Sequence, residues 1–365
     1  MNKKIPFLDL RIIDDNLRKD YLNAIDKVFK HGRLVLGPEV EMFESEIAQI
    51  CGKKYCVGVN SGTDALFLAL KCLGIGYGDE VITTSLSWIA TANAIALTGA
   101  SPVFADINND LNIDAKNIER LITPKTKAIL PVHYTGKICD MDILTNIAKN
   151  HNLFIIEDAC QSFGAEYKGK KAGSFGDISC FSMNPMKVLG AFGEAGAIVT
   201  NKESYKNKLI SLRYNGTINR EECIEISFNA RLDTIQAALL LKRIKEVDKI
   251  INKRRKIASW YNENLKNVVI TPYERSYQKD IYYTYTIRAQ NRDKLKTYLE
   301  SKGIETKIQH PILMPEQTVF KNKTIGIYEN AKKIVSEILC IPANEKLSKE
   351  DINYVSEMII SFYKR

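Results

Sequence analysis

Between residues 56 and 200 the chain alternates short runs of apolar, often β-branched residues with stretches of helical periodicity. Candidate strands lie at residues 56–59, 80–84, 102–105, 128–132, 153–157, 178–181 and 197–200. Helical patterns separate several of them, at residues 63–73, 89–97, 115–121 and 143–149. Strands joined through helices run parallel, with the helices packed on the sheet. The alternation therefore predicts an α/β fold with a mainly parallel sheet covered on both faces. Such sheets bind ligands beyond the carboxyl ends of their strands, so the chemistry is expected just after each run.

Further on, a helical pattern runs from Asp233 towards Asn264. Residues 282–288 read as a strand, residues 293–302 as a helix stopped at Gly303, and residues 349–363 as a last helix. These form a smaller α+β domain, and the division is placed at residues 1–240 and 241–365. The 365 residues are 45% hydrophobic and 26% charged, the balance of a globular protein. No apolar stretch reaches the roughly 18 residues of a membrane span. The start, Met1 to Asp9, lacks the apolar core of a secretory signal, so a cytoplasmic location is expected.

The net charge of +9 favours an anionic partner. Its densest basic stretch, residues 242–256, also places Ile244, Val247, Ile250 and Ile251 at helical spacing. That is a solvated helix with one buried face, so nucleic acid is not expected and a small phosphorylated substrate suits the charge better. The eight cysteines and four histidines follow no ligand spacing, and no metal site is expected.

Three segments could carry chemistry. In Val59-Asn60-Ser61-Gly62-Thr63-Asp64 a strand ends, a small-residue turn follows and a helix begins. Free N–H groups at a helix start favour a phosphate, and Gly62 allows close approach; a plain helix cap explains the same residues. In Ile155-Ile156-Glu157-Asp158-Ala159-Cys160-Gln161 two carboxylates end a buried strand. Neighbours on a strand point to opposite faces, so only one of Glu157 and Asp158 should face a site. In the third, Lys187 lies in the least charged window of a lysine-rich chain, between two strands. Desolvation would lower its pKa and free its lone pair to attack a carbonyl. A phosphate cradle, a strand-end carboxylate and a desolvated lysine together are what pyridoxal phosphate needs. Trp88, after the strand at 80–84, could cover its ring or could be core packing.

At this point the chain resembles the DegT/DnrJ/EryC1/StrS sugar aminotransferases, of the aspartate aminotransferase fold (fold type I). The resemblance runs nearly end to end. It is carried by Pro6-Phe7-Leu8-Asp9-Leu10, Ser61-Gly62-Thr63-Asp64-Ala65-Leu66 and Glu157-Asp158-Ala159-Cys160-Gln161. It continues in Phe181-Ser182, Lys187, Gly193-Glu194-Ala195-Gly196, Asn229-Ala230-Arg231-Leu232-Asp233 and Gly303-Ile304-Glu305-Thr306. It implies a seven-stranded sheet and roles residue by residue. Lys187 would be the Schiff-base lysine and proton shuttle, and Asp158 would pair with the pyridine nitrogen. Gln161 would meet the ring hydroxyl, Trp88 would stack on the ring, and Gly62, Thr63 and Ser182 would hold the phosphate. Asn229 would reach the phosphate in the neighbouring subunit, implying a homodimer with shared sites. Arg231 would meet the nucleotide diphosphate, unless it is tied up in a structural salt bridge.

The family often has Tyr and His where this chain has His310 and Tyr283, near the sugar. The run Lys187-Val188-Leu189-Gly190-Ala191-Phe192-Gly193-Glu194-Ala195-Gly196 resembles the branch that acts on 3-keto sugars. The reading is thus an aminotransferase carrying nitrogen from L-glutamate to a dTDP-3-keto-6-deoxyhexose. A 4-keto nucleotide sugar is the alternative substrate. A non-catalytic sugar sensor is a rival reading, which the retained Lys187, Asp158 and Gln161 oppose.

Overall fold

The computed structural model describes residues 4–321, 326 and 328–364. Seven strands form the main sheet: β1 (Tyr55–Val59), β2 (Glu80–Thr84), β3 (Ser101–Ala105), β4 (Thr126–Leu130), β5 (Phe154–Asp158), β6 (Ile178–Ser182) and β7 (Gly196–Thr200). Their order across the sheet is β1-β7-β6-β5-β4-β2-β3. Neighbours from β6 to β3 are parallel, whereas β7 is antiparallel to both β6 and β1. No helix joins β6 to β7, so the chain returns directly, and the returning loop carries Lys187.

Successive side chains on each strand enter different cores, as the pleat requires. Ile82, Ile129, Ile155 and Val199 pack with helices α2 (Pro38–Ile50) and α5 (Met141–Asn150). Val81, Ala128, Ile156 and Ile198 pack with α3 (Gly62–Cys72), α4 (Ala90–Leu97) and α6 (Glu203–Leu212). Both faces are thus apolar, each buried Ile or Val contributing roughly 1.5–3 kcal/mol, and the functional groups are left to the strand ends. The N-terminal helix α1 (Asp15–His31) and α2 precede the sheet and were not foreseen, although Asp14 caps α1 through its carboxylate. No helix among the described residues is long and apolar enough to cross a membrane.

The helix expected from Asp233 towards Asn264 breaks into α7 (Thr234–Ile244) and α8 (Val247–Leu265). The break lets α8 serve two cores. Its Val247 and Ile251 join the sheet core, while Ile257, Tyr261 and Leu265 join another. That second core gathers β8 (Tyr285–Arg288), α9 (Arg292–Ser301), the unforeseen β9 (Ile338–Ile341) and α11 (Lys349–Tyr363); α10 (Glu329–Val335), just before β9, packs instead with Leu86, Ile107 and Tyr134. The helix expected at 115–121 is two 3-10 turns, Ala115–Asn117 and Glu119–Leu121. The run is short, and Pro124 keeps Thr123 out of helical conformation.

Candidate active site

The carboxyl ends of β1, β2, β5 and β6 open on one cleft of about 840 Å³. Gly62, Thr63, Trp88, Asp158, Gln161, Ser182, Lys187, Tyr283 and His310 all line it. The segment after β1 starts α3, and the Ser61 hydroxyl caps it by accepting from the Asp64 N–H at 3.0 Å. The cap reading of Ser61 therefore holds, yet it leaves the N–H groups of Gly62 and Thr63 without an acceptor among the described residues. A Cβ at Gly62 would stand 2.5 Å from Ser182 Cβ, so only glycine lets α3 start this close to β6. Ser182 Oγ accepts from Asn184 N–H at 3.3 Å, which keeps its own proton for another acceptor.

The two strand-end carboxylates divide as the pleat demands. Glu157 turns away from the cleft and is fully buried. It takes hydrogen bonds from His133 Nε2 (3.0 Å), the N–H groups of Gly173 (2.9 Å), Phe175 (2.7 Å) and Gly176 (2.5 Å), and Ser179 Oγ (2.7 Å). Burial alone would raise its pKa. The bond and charge of His133, with the Gly176 N–H and Ser179 hydroxyl, outweigh that and hold it at about 2. Asp158 faces the cleft. Its Oδ2 accepts from Thr91 Oγ1 at 2.8 Å and its Oδ1 from the Cys160 N–H at 3.2 Å. Gln161 Oε1 accepts from the Thr135 N–H at 3.1 Å, which fixes its amide at the cleft wall.

Lys187 is half-buried and forms no ion pair with a carboxylate among the described residues; its Nζ lies 4.4 Å from the centre of the Tyr283 ring. Tyr283 is delivered by a backbone turn rather than by the strand expected at 282–288. Tyr282 has φ +49°, which delays β8 to Tyr285. Arg254 holds that turn, donating from Nη1 to the Tyr283 carbonyl at 3.0 Å while pairing with Glu345 at 2.9 Å. A bulky residue at positive φ marks a position that its surroundings over-determine.

His310 sits between Trp88 and Tyr134, with ring centroids 5.8 and 5.6 Å away, and its Nδ1 lies 3.0 Å from the Tyr134 hydroxyl. Burial, then the charges of Lys187 and Lys307, push its pKa down to about 3. The extended backbone that Pro311 suggests for His310 is not adopted: its φ is +56°, in the left-handed region. Trp88 is 61% exposed, on the cleft wall and outside every core, which removes its reading as packing.

Asn229 and Arg231 are not brought to this cleft. They lie beside each other on the surface, Arg231 Nε donating to Asn229 Oδ1 at 2.7 Å, with the guanidinium 4.6 Å from the Tyr214 ring centre. No salt bridge holds Arg231 among the described residues. Thr91, Ser87 and Tyr134 went unmarked in the sequence. Their one signal was position, each just beyond a strand's carboxyl end. Among the described residues no group of three or more His, Cys, Asp or Glu could hold a metal ion.

The chain is similar to known proteins over nearly its whole length. The family described as the DegT/DnrJ/EryC1/StrS aminotransferase family matches residues 15–360. The dTDP-3-amino-3,6-dideoxy-alpha-D-galactopyranose transaminase of Aneurinibacillus thermoaerophilus is 39% identical over 97% of this chain and 98% of its own. A protein of Geobacillus stearothermophilus named pleiotropic regulatory protein is 38% identical over 99% of both. The crystal structure of NtdA from Bacillus subtilis, with bound cofactor PMP, is 33% identical with a TM-score of 0.92, covering 99% of this chain and 86% of that one. The fold, the cleft and these matches lead to one conclusion: the chain belongs to the DegT/DnrJ/EryC1/StrS aminotransferase family.

Proposed function

We propose that this aminotransferase uses pyridoxal phosphate to move an amino group from an amino acid, L-glutamate in our reading, to a nucleotide-linked keto sugar with its ketone at C3. The observation that carries the proposal is the convergence of Lys187, Asp158 and the unpaired N–H groups of Gly62 and Thr63 on one cleft.

The donor set fits the cofactor. The Gly62 and Thr63 N–H groups, with the Ser182 hydroxyl, would hold a phosphate at the positive end of α3. Asp158 would meet the pyridine nitrogen, Gln161 the ring hydroxyl, and Trp88 one ring face. The bound cofactor supplies an electron sink for a carbanion. The chain supplies the rest. Lys187 Nζ, which no carboxylate among the described residues pairs, accepts a proton from the amino acid Cα and returns one on the sugar side, as base and then acid. The Tyr283 ring covers one side of that nitrogen, its centre 4.4 Å away. Residues 1–240 would hold the cofactor, while residues 241–365 would bring Tyr283 and His310 to the sugar. Asn229 and Arg231 would complete the cleft of a partner in a homodimer, Asn229 at the phosphate and Arg231 at the nucleotide diphosphate.

The 3-keto choice is supported by the run from Lys187 to Gly196 and by the name of the Aneurinibacillus relative. A 4-keto substrate is the second reading. The regulatory name of the Geobacillus relative raises a sensor role, which Lys187 and Asp158 meeting in one cleft oppose. The test is to load the enzyme, reduce it with borohydride and map the labelled peptide. The label belongs on Lys187; a label on another lysine, or none, defeats the proposal. A panel of dTDP- and UDP-linked 3-keto and 4-keto sugars then decides the substrate. Lys187→Ala should lose both label and transfer.

A further inference from the structure

We infer that Thr91, backed by Ser87, is a positioning residue for Asp158, and that the two hydroxyls form a one-way relay into its carboxylate. Ser87 and Thr91 flank Trp88 between β2 and the first turn of α4. Thr91 Oγ1 lies 2.8 Å from Asp158 Oδ2, and Ser87 Oγ lies 3.2 Å from Thr91 Oγ1. The three residues are 1%, 3% and 3% exposed for Thr91, Ser87 and Asp158.

The direction of donation follows from proton counting. An ionised carboxylate only accepts, so Thr91 must spend its single proton on Asp158. The Thr91 oxygen is then left with lone pairs alone, and Ser87 must be the donor of the 3.2 Å bond. The order is Ser87 to Thr91 to Asp158. The backbone of Asp158 is pinned separately, its N–H to the Pro131 carbonyl at 3.0 Å and its carbonyl to the His133 N–H at 3.1 Å. Among the described residues, Thr91 is therefore the one hydroxyl that donates to this carboxylate, on Oδ2, while the Cys160 N–H holds Oδ1.

The inference rests on the reading of Asp158 as the partner of the pyridine nitrogen. A hydrogen bond to a carboxylate favours its charged form and lowers its basicity. Between Asp158 and the ring, the shared proton then stays on the ring. Such outer partners orient the group in contact and tune it. A polarised relay also makes the two hydroxyls act as a unit rather than as separate bonds.

The test uses the apoenzyme titrated with pyridoxal phosphate and the absorbance of the loaded enzyme followed against pH. Thr91→Val removes the proton and keeps the branched shape. It should raise the cofactor dissociation constant roughly ten- to a hundredfold, the size of one lost hydrogen bond to a charge. It should also move the pH midpoint of the cofactor absorbance upward, because a ring that holds its proton less firmly withdraws less charge from the nitrogen linked to Lys187, whose own proton then leaves at higher pH. Thr91→Ser should restore both. Ser87→Ala alone should weaken binding roughly two- to fivefold, as for a neutral bond, and should add nothing in the Thr91→Val background.

An unchanged dissociation constant and midpoint in Thr91→Val overturns the inference. So does a full additional effect of Ser87→Ala in that background, since the relay would then not exist. If Thr91→Val does not fold, Thr91→Cys, a weak donor, carries the same expectation. If the wild-type chain itself takes no cofactor and no label on Lys187, the proposed function fails first, and the relay with it.

Discussion

At the scale of single residues, the site separates groups that must be charged from groups that must not. His310 titrates near pH 3, so at neutral pH it is a neutral ring beside Trp88 and Tyr134. It can offer the sugar nucleotide a hydrogen bond but not a charge. His310→Ala should raise KM for the keto sugar roughly ten- to a hundredfold, the range for a bond to a charged partner. It should leave the half-reaction with the amino donor almost untouched and add no pH dependence between pH 5 and 9. A lowered melting temperature with an unchanged KM would make His310 a packing residue. Glu157 behaves in the opposite way. Its folded pKa, about 2, lies below the ordinary glutamate value of 4.5, so its stabilisation is complete above about pH 4.5 and is lost as pH falls towards 2. Its share is roughly 3 kcal/mol. Urea titrations at stepped pH should show this acid loss in the wild type and a flatter slope in Glu157→Gln.

At the scale of elements, caps and local patterns were legible where the element satisfies itself. Helix α11 occupies Lys349–Tyr363, the range its pattern predicts, because Ser348 and Asp351 form a reciprocal cap at its start. Ser348→Ala should cost about 1 kcal/mol, seen as a lower urea midpoint with unchanged m. The seven sheet strands were legible for a related reason: residues buried on both faces leave a continuous apolar run. Elements whose form is set by neighbours were misread. The single helix expected from Asp233 became α7 and α8 because its two ends serve different cores. The strand at 282–288 lost its first three residues because Tyr282, held at positive φ, aims Tyr283 at Lys187.

At the scale of the whole molecule, Asn229 stands outside the cleft of its own chain. Ile224, Ile226 and Phe228 beside it are 58%, 87% and 37% exposed. Exposed apolar residues clustered in one segment mark an interaction surface, here proposed as the face of a homodimer. Mixing Lys187→Ala with Asn229→Asp, each inactive alone, should create heterodimers with one intact site. An equimolar mixture should recover roughly a quarter of wild-type activity, because half the dimers are mixed and each has one good site of two. Mixed dimers that form without regaining activity would remove Asn229 from the partner's site.

The sequence by itself determined the alternation of strands and helices, the strand-end position of Asp158, the place of Lys187 between two strands, and the small-residue turn at Gly62. Each is written in the order of neighbouring residues, through periodicity, pleat and capping chemistry. Only the tertiary structure decided which carboxylate faces the cleft and which donors each receives. It alone joined Thr91 to Asp158, 67 positions apart, and His310 to Tyr134, 176 apart. The physical reason is that a buried hydroxyl or imidazole takes its role from the partner that satisfies it. That partner is chosen by how the strands are ordered and the two cores dock, which no local pattern of residues records.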